Sequence, residues 1–468
     1  MKVRRLFARG GSDGIHQDGL PRIAIVGRGF SGMMMAIALM KQLRTPFHLQ
    51  LFDPCSSVSG GQALSSLGTS TILNSRVRDL SVSQGETDDF NDWLANNNEF
   101  RATVPAAIPG FRQIFVPKQL FSNYVYQRFS EALAQRRDIS VRIRQDVAKA
   151  IRKQRDASFL LECEAGASIA FDHIVLATGY GISEMRDDGV TETQVRAQRL
   201  AARPHIVLLG SGIRVVDRLF QLRDAGFSGQ ISIVSKHGFL PQSHTPNAAE
   251  PIFPKDALPE KLSEIVRFIR NACQTAEDNG QTWQSVMNGL RGHARSLWRD
   301  LPADRKRQFN RHLRAIYDSH RNRLPEAMHL RLVRELQQGH TTLVRGTVIR
   351  QSVTGVVIRK VRSHTEETLY AERIFDCRCQ APMLESPIIQ SLFARKLAAA
   401  DELGLGIAVD ARGKPYLPDG AITEGIFALG PLGLGSLPDI DLVPEIVNQA
   451  YAVAEEIDQA IFPRTAAV

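Results

Sequence analysis

The chain has 468 residues, 43% apolar and 23% charged, with 35 glycines and 22 prolines. That is the make-up of a folded protein of roughly two to four domains, which excludes a disordered, collagenous or fibrous chain. The net charge of +9 sits mostly between Arg291 and Arg323, where ten Lys/Arg face only Asp300, Asp304 and Asp318. Such a local cationic surface points to an anionic ligand or partner, and no nucleic-acid recognition module accompanies it.

Residues 1–20 are basic, lack an apolar core and cleavage site, and read as a flexible tail rather than a secretory signal. Arg22–Val26 is a buried-strand pattern running directly into Gly27-Arg28-Gly29-Phe30-Ser31-Gly32, with a helix pattern from Met33 to Leu43. The apolar stretch Gly32–Met40 is about half of what a bilayer span needs. Leu49–Phe52 is a second strand ending at Asp53, and His173–Ala177 a third, stopped by Thr178-Gly179. A second α/β unit opens with the strand His205–Leu209, the turn Gly210-Ser211-Gly212, a helix from Val215 to Ala225 and the strand Ile231–Val234. From Pro246 to Pro325 helix patterns dominate, and Phe309, Leu313, Ile316 and His320 follow a 3.6-residue period. Strand-like alternation returns over Thr341–Arg359. The chain closes with the strand Ile426–Leu429, a glycine-rich turn from Gly430 to Ser436 and a helix over Asp441–Ile457. Five scattered cysteines show no zinc spacing and no disulfide framework, so a soluble, cytoplasmic protein without a metal site is expected.

The first glycine motif lies between a strand and a helix and has an acid at the end of the next strand, the context dinucleotide binding requires. Gly27 permits the tight turn, Gly29 lets a pyrophosphate approach the backbone, and Gly32 lets helix and strand pack closely. Asp53, 21 residues after Gly32, can accept hydrogen bonds from a ribose diol. The second motif repeats the arrangement with Val215 at the third glycine position, and Lys236 follows Val215 by the same 21 residues. A cation there, in Ser235-Lys236-His237, suits a 2′-phosphate, which predicts NADPH in preference to NADH; the plain alternative is a solvated loop lysine. Two dinucleotide units in one chain imply electron transfer between a held flavin and a diffusible nicotinamide.

The residues Gly60-Gly61-Gln62-Ala63, Ile72-Leu73-Asn74, Phe90–Leu94, Val116-Pro117-Lys118, Ala177-Thr178-Gly179, Phe309–Arg323 and Ala428–Pro431 make the resemblance specific. From Pro21 onward the chain resembles the FAD-NAD(P)-binding family of two-dinucleotide flavoproteins, which includes bacterial FAD-dependent urate hydroxylase and related N-hydroxylating monooxygenases. The resemblance implies an α/β protein in which an NAD(P)H-binding Rossmann-like domain and a helical insert interrupt an FAD-binding Rossmann-like domain. The expected division is 1–20 tail, 21–200 and 371–468 FAD-binding, 201–245 and 331–370 NADPH-binding, and 246–330 basic helical insert. It implies an FAD set of Gly27, Gly29, Ser31, Gly32, Asp53, Gln62, Asn74, Lys118, Thr178, Gly179, Gly430 and Pro431, and an NADPH set of Gly210, Ser211, Gly212, Ser235 and Lys236. The helix near Asp441 is expected to aim its N-terminus at the flavin.

The implied activity is NADPH-driven oxygen transfer through a flavin C4a-(hydro)peroxide to a small polar substrate: an amino acid, an amine or a purine-like ring. Leu64, Ser75-Arg76 and Cys379-Gln380-Ala381 depart from the family pattern near cofactor or substrate, so the substrate does not carry over. A flavin-dependent reductase and a non-catalytic flavin-binding protein are the alternatives. A reductase would need a redox cysteine pair, and packing is the simpler explanation of Cys377 and Cys379. His312, His320 and Arg321 are the candidate catalytic or substrate-binding residues of the insert. A core histidine, a solvated arginine face or a contact between copies in a homo-oligomer are the competing explanations.

Overall fold

The computed structural model describes residues 19–55, 71–104, 110–181, 204–252, 259, 261–378 and 382–462. Its strands in chain order are β1 (Arg22–Val26), β2 (His48–Phe52), β3 (Ser140–Arg144), β4 (Ala148–Lys153), β5 (Phe159–Cys163), β6 (Ser168–Phe171), β7 (His173–Leu176), β8 (His205–Leu209), β9 (Gln230–Ser235), β10 (Thr341–Gln351), β11 (Gly355–Lys360), β12 (Glu366–Tyr370), β13 (Arg373–Asp376) and β14 (Ile426–Ala428). The chain divides into one unit of residues 1–66, 75–183 and 381–468 and another of 67–74 and 184–380. The second is thus inserted in sequence within the first, as the two-Rossmann α/β reading expects.

In the first unit five parallel strands are ordered β14-β7-β1-β2-β3. β1 lies at the centre with Ile23, Ala24, Ile25 and Val26 buried. Its unbroken apolar run is what a strand covered on both faces requires. The helix Phe30–Gln42 follows β1 and is buried from Phe30 to Met40. It packs against the helix Val443–Ile461 and against Lys118–Gln135. A small antiparallel sheet, β4-β5-β6, shares a core with Leu176, Ile389, Leu392 and Ile426.

In the second unit the order is β12-β11-β10-β9-β8-β13, with β10, β9, β8 and β13 parallel. The helix Ile213–Asp224 buries Val215, Val216, Leu219, Phe220 and Leu222 in the core of this unit. The pairing of β13 with β8 carries the second sheet to Asp376, past the boundary expected at residue 370. The stretch Thr341–Arg359 is a hairpin rather than one alternating strand. β10 pairs with β9 in its first half and with β11 in its second, with a register shift between Val348 and Arg350.

The helical insert holds helices Leu262–Asp278, Trp283–Arg291, Ala294–Asp300, Ala303–His312 and Arg314–Arg321. The period that joined Phe309 to His320 is broken at Leu313 (φ −115°, ψ −24°), which ends one helix and begins the next. Eight residues of straight helix rise about 12 Å, yet the rings of Phe309 and Tyr317 lie 5.7 Å apart. Phe309 also meets Trp298 edge-on at 5.7 Å. Closing this aromatic cluster is what turns the chain.

Candidate functional site

The first unit gathers its predicted residues at one edge of its sheet. From β1 the chain proceeds to β2 and β3 on one side and to β7 and β14 on the other, so the order reverses at β1. Ligands of open α/β sheets bind outside the carboxyl ends of the strands at such a switch point. There Gly27 adopts φ +101°, and a Cβ on it would fall 2.4 Å from the Ala177 carbonyl oxygen. A Cβ on Gly32 would fall 2.0 Å from the Gly27 carbonyl oxygen. Both positions therefore admit only glycine, for the reasons of turn and close packing read from the motif. Gly29 caps the helix Phe30–Gln42 with no side chain in the way, leaving the first-turn N–H groups to a phosphate.

Asp53 stands at the end of β2. Its Oδ2 accepts from the Arg28 backbone N–H at 2.8 Å and its Oδ1 from that of Cys55 at 2.8 Å. Each carboxylate oxygen keeps a lone pair for a ribose hydroxyl. Arg28 is itself buried, at 3% exposure, with its guanidinium donating to the Cys55 carbonyl. The Tyr126 hydroxyl is buried without a hydrogen-bond partner among the described residues. Burial raises its pKa, Arg28 opposes the rise, and Asp53 and Cys55 add to it. A turn that only glycine fits, an available carboxylate and an orphaned hydroxyl together suit the adenosine end of a dinucleotide.

The other edges converge there. Thr178 and Gly179 follow β7, and the Thr178 Cα would lie 3.1 Å from a Cβ on Gly27. Gly430 (φ +71°) donates to Gln449 Oε1 at 2.8 Å, and a Cβ on it would meet the buried Ser31 Oγ at 2.7 Å. Pro431 is the second residue of the short 3-10 turn Gly430–Gly433, and the helix after it begins at Val443, two residues later than expected. Lys118 is the first residue of its helix, and Phe121 one turn on packs against Phe30 at 5.7 Å. Gln62 lies outside the described residues. Asn74 is carried by the second unit, where its carbonyl accepts from His244 Nε2 at 2.9 Å.

The second unit repeats the switch point between β8 and β13. Gly210 takes φ +117°, with the Arg378 backbone 3.1 Å from its missing Cβ, and Gly212 caps the helix Ile213–Asp224. Ser211 lies between them. Val215, at the third glycine position, is a core residue, so helix and turn are not pressed together as at Gly32. Ser235 ends β9 and its Oγ accepts from the Gly238 N–H at 3.1 Å, while Lys236 is exposed. His237 stacks on Phe239 with ring centroids 6.2 Å apart.

A family model described as FAD-NAD(P)-binding matches residues 24–181, from within β1 to the turn after β7. This stretch is an FAD-NAD(P)-binding domain. No curated protein matches the chain by sequence. Among solved structures it is similar to an ornithine N-hydroxylase of Kutzneria sp. 744, solved with reduced FAD, NADP+ and L-ornithine, at 14% identity and a TM-score of 0.62, covering 94% of this chain and 100% of that one. It is also similar to L-lysine 6-monooxygenase from Pseudomonas syringae, at 13% identity and a TM-score of 0.59, covering 94% and 99%. Bacillithiol disulfide reductase from Bacillus cereus shares the fold at 12% identity and a TM-score of 0.52, covering 94% and 99%.

Beyond the FAD-NAD(P)-binding domain, the insert residues part company. His320 Nδ1 lies 2.8 Å from the Ile316 carbonyl oxygen, and its ring meets Trp283 edge-on at 5.0 Å. His320 is half-buried, held by its own helix and by Trp283. Arg321 is largely buried, 3.9 Å from Asp318. Arg323 donates to Gln284 and Asn288 at 2.7 Å each and ties the stretch after the helix Arg314–Arg321 to the helix Trp283–Arg291. His312, exposed at the end of its helix, belongs elsewhere. Burial lowers the pKa of His237, and the charges of Lys236, Arg345 and His312 lower it further. Arg345 reaches this spot because β10 pairs Arg345 with Ser235, and its Cγ packs 2.9 Å from the missing Cβ of Gly238. Sequence reasoning missed Arg345 and Arg28. Only a knowledge of the β9–β10 register could have found the former.

Among the described residues no helix is long and apolar enough to cross a membrane, and no group of His, Cys, Asp and Glu could hold a metal. Burial pushes the Cys377 thiol up to about 11, against the opposing pull of Arg218 and Arg214. Cys379 lies outside the described residues.

Proposed function

We propose that the protein is an FAD-dependent, NADPH-oxidising monooxygenase that hydroxylates a small polar substrate, with an amine nitrogen as the favoured acceptor. The observation that carries this reading is a pair of dinucleotide turns of opposite charge. Asp53 ends the strand of the first with a carboxylate that would answer a ribose diol, and Lys236 and Arg345 stand at the corresponding strand end of the second. The fold shared over nearly the full chain with ornithine and lysine hydroxylases supports it.

When bound, FAD would take a hydride from NADPH and pass its electrons to dioxygen, so that substrate, O2, NADPH and a proton give hydroxylated substrate, water and NADP+. The chain's own residues do the holding. Gly29 and the helix it caps would receive the pyrophosphate, Asp53 would accept from the ribose, and Ser31, Thr178, Gly179, Gly430 and Pro431 would wall the carboxyl edge. Gly210, Ser211, Gly212, Ser235 and Lys236 would hold NADPH.

The likeness to a disulfide reductase favours one alternative, a flavin-dependent reductase without oxygen transfer. The buried Cys377, with its thiol held at about 11, speaks against a redox pair there. The test is to load the purified chain with FAD, mix it anaerobically with NADPH or NADH, then admit oxygen with ornithine, lysine or another diamine. Faster reduction by NADPH and substrate-dependent formation of a hydroxylamine are expected. Failure of both nucleotides to reduce the flavin overturns the reading, and reduction without hydroxylated product for any amine leaves the reductase.

A further inference from the structure

The turn that follows β14 is packed along most of its length against residues 401–409. The Ile407 N–H donates to the Leu432 carbonyl at 2.8 Å, and a Cβ on Gly406 would fall 2.2 Å from that same oxygen. The Val409 N–H donates to Ser436 Oγ at 3.1 Å. A Cβ on Gly435 would fall 2.1 Å from the carboxyl carbon of the buried Asp401, so the far end of the turn has no room to slide. Its first residue is held differently. Gln449, buried on the helix Val443–Ile461, accepts from the Gly430 N–H through Oε1 at 2.8 Å and donates through Nε2 to the Ala428 carbonyl at 3.3 Å. One amide thus joins the last residue of β14 to the residue that opens the turn. Gly413, at φ +82°, makes room for it, since a Cβ there would fall 2.8 Å from Gln449 Nε2 and 2.6 Å from the Ala428 carbonyl oxygen. The charged residues on either side of Gly413 are themselves paired, Arg412 with Glu456 and Lys414 with Glu424 and Glu456. Gly430 is in the left-handed region, with the place of its missing Cβ 2.7 Å from Ser31 Oγ in the first turn of the helix Phe30–Gln42. A buried N–H that loses its acceptor must find another or open to water. The conformation of Gly430, and its fit against Ser31, therefore depends on Gln449.

We propose that Gln449 is a positioning residue for the flavin nucleotide, which sets Gly430 and Pro431 against Ser31 ahead of FAD, so that FAD affinity depends on both hydrogen bonds of its amide. This rests on the reading of Gly430 and Pro431 as part of the FAD wall but not on oxygen transfer.

The experiment is a titration of the full chain with FAD, together with amide hydrogen exchange over residues 427–437 in the absence of FAD. Gln449→Met keeps the length of the side chain and loses both hydrogen bonds. It should speed exchange in this stretch about tenfold and weaken FAD by about tenfold or more. Gln449→Glu should weaken FAD at pH 8, where a carboxylate cannot donate to Ala428. It should regain affinity towards pH 6, because burial raises a carboxyl pKa and the protonated acid donates and accepts as the amide does. Asp458→Asn, on the same helix but bonded to Arg44, is the control for general loss of stability. It should lower the melting temperature and leave FAD affinity within twofold. Wild-type exchange and FAD affinity in Gln449→Met, wild-type FAD affinity of Gln449→Glu at pH 8, or an equal loss of affinity in Asp458→Asn each overturn the proposal. A wild type that takes no FAD overturns the flavin reading as well, whereas a chain that passes these tests yet hydroxylates nothing loses the monooxygenase reading alone.

Discussion

Replacing Gly32 by alanine is the sharpest probe of the first dinucleotide turn. The new Cβ would stand 2.0 Å from the Gly27 carbonyl oxygen, so helix and turn must separate by roughly 1 Å to reach the 3.0 Å below which real Cβ atoms are essentially never found. The helix cannot retreat freely, because every residue from Phe30 to Met40 is buried. Overpacking of this kind costs about 1–3 kcal/mol. The same displacement moves the helix N-terminus that should face the pyrophosphate. If the misfit is expressed in binding, FAD affinity falls by about 5- to 150-fold, at roughly tenfold per 1.4 kcal/mol. Thermal unfolding with and without added FAD, together with a fluorescence titration of FAD, reads both effects. Gly212→Ala is the internal control, since no atom lies within 4 Å of its missing Cβ and its φ is −83°. It should cost about 1 kcal/mol or less, as a changed N-cap does, and leave FAD affinity unchanged. A Gly32→Ala protein with wild-type stability and FAD affinity would refute the steric argument and, with it, the placement of the phosphate at this turn.

Three further outcomes follow from the same structure. His320→Ala should lower stability by removing its contacts to Ile316 and Trp283, while the rate of NADPH-driven flavin reduction stays within twofold; a selective loss of hydroxylation with an unchanged melting temperature would restore a catalytic role. Asp89 is half-buried, which raises its pKa, but hydrogen bonds from Arg128, Tyr124 and Ser83 outweigh this and hold it below the usual carboxylate range. Its contribution to stability is therefore complete above the unfolded pKa of about 4 and is lost as pH falls through the lower folded value. Arg128→Met should flatten the acid limb of a stability-versus-pH curve, and an unchanged limb would show that other carboxylates control it. Cys377 should resist alkylation at pH 8 in the folded protein whereas the exposed Cys55 reacts, as mass spectrometry of the labelled peptides would read; rapid labelling of Cys377 would reopen the reductase alternative.

The sequence by itself determined the features whose cause is local. A tight turn at Gly27, a close approach at Gly32 and an acid closing the next strand are requirements on a few neighbouring residues, and they are legible wherever a strand runs into a glycine motif. The same holds for β1, β2, β7, β8, β9 and β14, each an apolar run with a punctuating residue. Tertiary structure decided what depends on partners remote in the chain. The β9–β10 register brought Arg345 beside Ser235, and the loop carrying His244 gave the Asn74 carbonyl its partner. Aromatic packing of Phe309, Trp298 and Tyr317 accompanies the bend of the chain at Leu313, and the half-buried His320 meets Trp283 while His312 stays exposed. His320, which a helical period had placed on one face with Phe309, Leu313 and Ile316, lies on a separate helix from Phe309, because side-chain packing, which no period records, set the direction of the chain between them.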